Sequence, residues 1–181
     1  MSNIYIPEKF MHIAELIEGK HPQVNKVITT GGRYSGKSHT INRLLANAVG
    51  SFGHRLAHTR YTAKSLSESI VLTFKKALDD WGYGDFYSIN KQDSSLKGLE
   101  DVSIFAVDET SEIPTFEEWE KVDLSIRGVG EYNVSFSLMI LNPTTTQHWV
   151  YQKFFEERNV KAGFNGIVGD TMYIHTSWKD L

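Results

Sequence analysis

Short β-branched runs alternate with apolar stripes at helical spacing along most of this chain. Lys26-Val27-Ile28-Thr29-Thr30 is a run of the kind that fills a buried parallel strand. Ile41, Leu44, Leu45, Ala48 and Val49 then recur at helical spacing and predict an amphipathic helix with Gly50 as its stop. Arg55-Leu56-Ala57-His58-Thr59 predicts a second strand, and Leu66, Ile70, Phe74, Leu78 and Trp81 form a long helical stripe suited to core packing. Residues 102–107, 134–141 and 172–176 predict three further strands. Ahead of the first, Pro7 opens a helix with Phe10, Ile13, Ala14 and Ile17 on one face, ending near Gly19 and expected to cover an edge of the sheet. Thr115-Phe116-Glu117-Glu118 reads as a capping box for a helix starting near Phe116, which makes Glu117 and Glu118 structural.

Strands alternating with helices predict an α/β fold, a mostly parallel sheet with helices on both faces and ligand-binding residues at the carboxyl ends of the strands. The 181 residues suit a single domain spanning the whole chain, and 40% hydrophobic with 23% charged residues is a globular balance. The absence of cysteine excludes disulfides and thiolate metal sites and suits a reducing cytoplasm. No run approaches the roughly 18 apolar residues of a membrane span, and no basic-then-apolar leader opens the chain, so a soluble cytoplasmic protein without membrane partners is expected. A net charge of −3 supplies no overall basic field, so any DNA contact is expected to be local or shared among subunits. Lys20, His21, Lys26, Arg55, Arg60 and Lys64 read as solvated loop charge rather than a basic surface. His54 and His58 would stand about 13 Å apart on a strand, too far for one metal, and the other histidines are scattered in sequence.

The chemistry concentrates in three loops. Residues 31–38 read Gly-Gly-Arg-Tyr-Ser-Gly-Lys-Ser, a complete phosphate-binding loop between the first strand and its helix, the arrangement of a P-loop NTPase core. Gly31, Gly32 and Gly36 are expected to let successive N–H groups, including those of Arg33, Tyr34 and Ser35, turn inward around a triphosphate. Lys37 adds a charge for the β- and γ-phosphates, and the Ser38 hydroxyl is placed for Mg²⁺. A glycine-rich turn that binds nothing would need neither Lys37 nor Ser38.

The third strand runs into Asp108-Glu109, about seventy residues after the loop. Asp108 is read as the Mg²⁺ ligand and Glu109 as the base that orients the attacking water; the alternative is two solvated carboxylates opening a turn, and Glu112 is left undecided. A cation over the γ-phosphate could come from Arg33 or from Arg127, which follows Leu124-Ser-Ile126; for Arg127 a surface ion pair serves the sequence equally well. Asn142-Pro143-Thr144-Thr145-Thr146 at the fourth strand end reads either as a turn or as a reporter on the γ-phosphate.

Read together, the loop, Ala-Val-Asp-Glu-Thr-Ser-Glu, Leu-Ser-Ile-Arg-Gly and Leu-Asn-Pro followed by His148-Trp149 resemble the ATPase domain of a tailed-bacteriophage terminase large subunit, from about Val27 to Trp178. The resemblance implies an ATP- and Mg²⁺-dependent motor that drives double-stranded DNA into procapsids in the cytoplasm of an infected bacterium. Its partners would be DNA, the small terminase subunit and the portal protein, and both a ring on the portal and a monomeric isolated domain stay open. It also implies phosphate and metal roles for Lys37 and Ser38, metal for Asp108, water for Glu109, coupling for Asn142 and a trans-acting role for Arg127. The C-terminal nuclease portion is absent from this chain, so nuclease activity is not expected, and residues 87–99 look short for the family. A helicase-like DNA-dependent ATPase is one alternative. A nucleotide-binding assembly switch with negligible turnover is another, against which Asp108-Glu109 argues.

Overall fold

In the computed structural model, which describes residues 5–61, 71–83, 101–126, 128 and 132–180, the apolar runs become strands. These are β1 (Lys26–Gly31), β2 (Leu56–Arg60), β3 (Ile104–Asp108), β4 (Phe136–Leu141), β5 (Gly166–Val168) and β6 (Thr171–Thr176). They form one sheet in the order β2-β3-β4-β1-β6-β5, parallel throughout except for β5, which pairs antiparallel with β6 at the edge. Five of the strands fall where the pattern predicted them, with ends moved by one or two residues. The sixth, β5, has no counterpart among the strands the pattern predicts.

The helices are α1 (Met11–Ile17), entered through a 3-10 turn at Glu8–Phe10, α2 (Lys37–Phe52), α3 (Val71–Trp81), α4 (Phe116–Asp123) and α5 (Trp149–Tyr151), which runs on as a π turn at Gln152–Glu156. The period-two alternation of the strands sorts their side chains to two faces. Val27, Ile104, Ala106, Leu138, Ile140, Met172 and Ile174 pack with α1 and α2; Ile28, Phe105, Val107, Met139, Leu141 and Tyr173 pack with α4 and the α5 segment. Every residue of β4 is buried, as a central strand covered on both faces requires. Trp119, fully buried among Phe116, Trp149 and Phe154, anchors the second face. Truncating such a side chain to alanine costs about 3–5 kcal/mol.

Two boundaries have local causes. Thr115 caps α4 by accepting a hydrogen bond from the Glu118 N–H at 3.3 Å, as the capping pattern predicted. Gly50 does not stop α2: the ring of Tyr83 occupies the space a side chain there would take, and the helix continues to Gly53, which caps it at φ 64°. Glycine at 50 serves packing, and the left-handed turn that ends the helix falls at the next glycine. Leu78 is buried on α3 with Phe74 and Trp81 partly so, whereas Leu66 and Ile70 of the same stripe lie outside the described residues.

Of the two histidines near β2, His54 is buried, with one ring nitrogen on the Ile17 carbonyl (3.1 Å) and the other on the Ser103 hydroxyl (3.1 Å). His58 lies edge-on to Phe74, its two ring nitrogens shielded from solvent and without a hydrogen bond among the described residues, although the residue as a whole keeps some exposure. Burial pushes its imidazole down to about 4. The cationic side chains read as solvated loop charge are paired where described: Lys20 with Glu18, Lys26 with Asp123 and Asp170, Arg55 with Asp101, Arg60 with Glu112, while Lys64 lies outside the described residues. Among the described residues no helix is long and apolar enough to cross a membrane.

Candidate active site

Residues 31–38 join the end of β1 to the first turn of α2. Gly36 caps α2 at φ 71° and ψ 1°, a left-handed conformation that glycine adopts without steric cost. At Gly31 the constraint is space, because a Cβ would run into the carbonyl and hydroxyl oxygens of Thr176 and the Ser35 hydroxyl. Gly32 meets neither constraint, with no atom within 4 Å of its Cβ direction and no positive φ, so the backbone demand expected of all three glycines falls on two. Tyr34 takes φ 63° without being glycine, and its ring is 91% exposed at the mouth of the site.

The Lys37 ammonium is folded into this loop. Its Nζ donates to the Gly31 carbonyl at 2.6 Å, the Gly32 carbonyl at 3.0 Å, the Ser35 hydroxyl at 3.2 Å and Asn142 Oδ1 at 3.3 Å. Burial pushes its pKa below the usual lysine value, while the carboxylates of Glu109 and Asp108 pull it back up. The cation is therefore held in place by neutral oxygens, with the two carboxylates near enough to act on it.

The opposite wall comes from the end of β3. Asp108 Oδ1 accepts from the Ser38 hydroxyl at 3.5 Å, and burial together with the neighbouring Glu109 raises its pKa, with Arg60 acting against the rise. Glu109 sits at φ 51° and ψ 47°, a left-handed conformation uncommon outside glycine and of the kind that collects at functional sites. A 3-10 turn at Thr110–Glu112 holds it there: Thr110 Oγ1 donates to the Val107 carbonyl at 2.9 Å and the Glu112 N–H to the Glu109 carbonyl at 2.8 Å. Glu112, undecided from sequence, takes a two-pronged ion pair from Arg60 at 3.0 and 3.4 Å. Arg60 is the register partner of Asp108 across the β2–β3 pair, a neighbourhood sequence reasoning missed because register is not written in either segment alone.

The His148-Trp149 pair buttresses the same turn. His148 Nδ1 accepts from the Val150 N–H at 3.2 Å to cap α5, and the Trp149 indole donates to the Ile113 carbonyl at 2.7 Å, just beyond Glu112.

Because β4 lies between β1 and β3, its end delivers Asn142 between loop and acidic pair. Asn142 Oδ1 accepts from Lys37, and its Nδ2 donates to Glu109 Oε2 at 3.4 Å. A cavity of about 450 Å³ opens here, with Arg33, Tyr34 and Ser38 on one side and Asp108, Glu109 and Asn142 on the other. Ser35, Gly36 and Lys37 also line it, as does His39, which the loop pattern did not single out. Ser38 and Asp108 offer hard oxygen donors 3.5 Å apart, the donor chemistry that suits Mg²⁺. Arg33 is exposed at the rim. Arg127 and residues 87–99, the segment that looks short for the family, lie outside the described residues.

Among solved structures, the chain is similar to the one described as the crystal structure of Pif1 helicase from Candida albicans, at 10% identity and a TM-score of 0.45, over 95% of this chain. It spans 40% of the length of that structure's chain, and a likeness so remote carries no argument about function. No curated protein matches the chain at a significant level. Residues 86–181 match the family described as phage terminase large subunit, a stretch that holds Asp108, Glu109 and Asn142 and leaves the phosphate loop upstream of it. With more than half of its sequence inside that match, the chain belongs to the phage terminase large-subunit family.

Proposed function

We propose that this chain is the ATP-hydrolysing motor domain of a viral terminase large subunit, which powers the packaging of double-stranded DNA into procapsids. The observation that carries this reading is the convergence, in one cavity, of a lysine-bearing phosphate loop and an acidic pair, with Asn142 bonded to both sides. In it, the loop N–H groups and Lys37 hold the triphosphate. Ser38 and Asp108 hold Mg²⁺, which when bound neutralises charge on the phosphate oxygens. Glu109 orients and partly deprotonates the attacking water, a role that its held backbone conformation suits. Arg33 at the rim, or Arg127 from a neighbouring subunit, supplies the cation over the γ-phosphate. Double-stranded DNA, the small terminase subunit and the portal protein are the proposed partners, with assembly as a ring on the portal.

Steady-state ATP turnover, measured with and without double-stranded DNA, tests this reading. Lys37→Ala should abolish turnover and weaken nucleotide binding, and Glu109→Gln should keep binding while turnover falls by about 10²–10⁴-fold. Parent-like hydrolysis in Glu109→Gln would overturn the assigned base. ATP binding without turnover in the parent protein would instead favour a nucleotide switch.

A further inference from the structure

Away from the nucleotide cavity, the turn after α1 gathers a set of donors that the sequence scatters. Gly19, at φ 78°, folds the chain back, with its N–H on the Leu16 carbonyl and the Lys20 N–H on the Glu15 carbonyl, both at 2.9 Å. His21 is thereby carried to the same carboxylate that His12 meets one helical turn away. Glu15 Oε2 lies 3.0 Å from His12 Nδ1 and 3.3 Å from His21 Nε2, and the three ligand atoms all fall within 4.8 Å of one another.

We propose that His12, Glu15 and His21 form a binding site for a zinc-class divalent ion, which clamps the end of α1 to the segment that follows it. The geometry fits closely. Two donors on a tetrahedral zinc, at about 2.0–2.1 Å from the metal, stand about 3.3–3.4 Å apart. The two His–Glu separations are already near that edge length, and the ligand nitrogens of the two imidazoles lie within 4.8 Å of each other. Two imidazoles and one carboxylate without thiolate suit zinc over the oxygen-seeking Mg²⁺ or Ca²⁺, and the partial exposure of the cluster leaves a fourth position for water. The adjacent charges, Lys20 and Glu18, pair with each other at 2.6 Å. Since Phe10, Ile13, Leu16 and Ile17 of this segment lie in the core beside β1 and β6, a metal clamp here stabilises the whole layer.

Isothermal titration of tag-free, chelator-washed protein with zinc chloride, in the presence of excess Mg²⁺, tests the site. The expected result is one zinc ion per chain at micromolar affinity, a tetrahedral visible spectrum with Co²⁺ in its place, and a rise in Tm of about 5–10 °C at a hundredfold excess over Kd. His12→Ala and His21→Ala should each weaken binding at least roughly tenfold and lower the Tm rise by at least about half, and Glu15→Gln, which keeps the side-chain shape, should do the same. His12 is largely exposed, so parent-like circular dichroism is expected of its variant. No saturable zinc binding, or binding that survives both histidine substitutions, would overturn the proposal.

Discussion

Asn142 and Glu109 are joined by a hydrogen bond, Nδ2 to Oε2 at 3.4 Å, although 33 positions separate them in the chain. The same amide accepts from Lys37, so one uncharged side chain links the cation of the phosphate loop to the carboxylate opposite. Such a link orients both charges without neutralising either.

Asn142→Ala should therefore act on orientation. A hydrogen bond to a charged group is worth about 1.5–3 kcal/mol, so kcat should fall roughly 10- to 100-fold while nucleotide affinity changes little. An equal loss of affinity would assign Asn142 to ground-state binding instead.

The two loop glycines that differ in surroundings should differ in response. Gly31→Ala drives a methyl group into Thr176 and Ser35, so a loss of about 1–3 kcal/mol and weaker nucleotide binding are expected. Gly32→Ala meets open space, and its stability should stay within about 0.5 kcal/mol of the parent. Urea titration of both variants with a nucleotide-binding assay checks the contrast.

Ser38→Ala removes one of the two hard donors facing each other across the cavity. The Mg²⁺ concentration for half-maximal turnover should rise at least roughly tenfold, with binding of metal-free nucleotide little changed. Magnesium titration of hydrolysis measures it.

His58 predicts a pH dependence of stability. Its folded-state imidazole titrates at about 4 against an ordinary value near 6.5, so the unfolded chain binds the proton more readily. Its contribution is fully present above about pH 6.5 and is lost as pH falls toward 4, about 3 kcal/mol in all. Asp108 and Asp123, whose carboxyls burial raises, act in the opposite direction, so the comparison is with His58→Leu. The difference in unfolding free energy between parent and variant should shrink or reverse in favour of the variant across that window. A constant difference from pH 7 to 4 would refute a neutral, buried imidazole.

Much of this fold was legible in the chain because its causes are local. The run before the loop, the stripe of α2, the cap at Thr115 and the strand leading to Asp108 each follow from the residue types within a few positions. β5 escaped because three residues that begin with one glycine and precede another carry no periodicity of their own, and its antiparallel edge pairing exists only through β6. The end of α2 was misplaced because Gly50 looks like a stop until Tyr83 is seen to need its space.

By itself, the sequence determined the phosphate loop, the acidic pair and the strand ends that carry them, since backbone freedom and side-chain chemistry reside in the residues themselves. Tertiary structure decided the strand order that inserts β4 between β1 and β3 and so brings Asn142 to both Lys37 and Glu109. It also decided the register that sets Arg60 beside Asp108 and the fold-back that gathers His12, Glu15 and His21. Those placements follow from burying two faces of one sheet at once, a condition met only when segments distant in sequence are packed together.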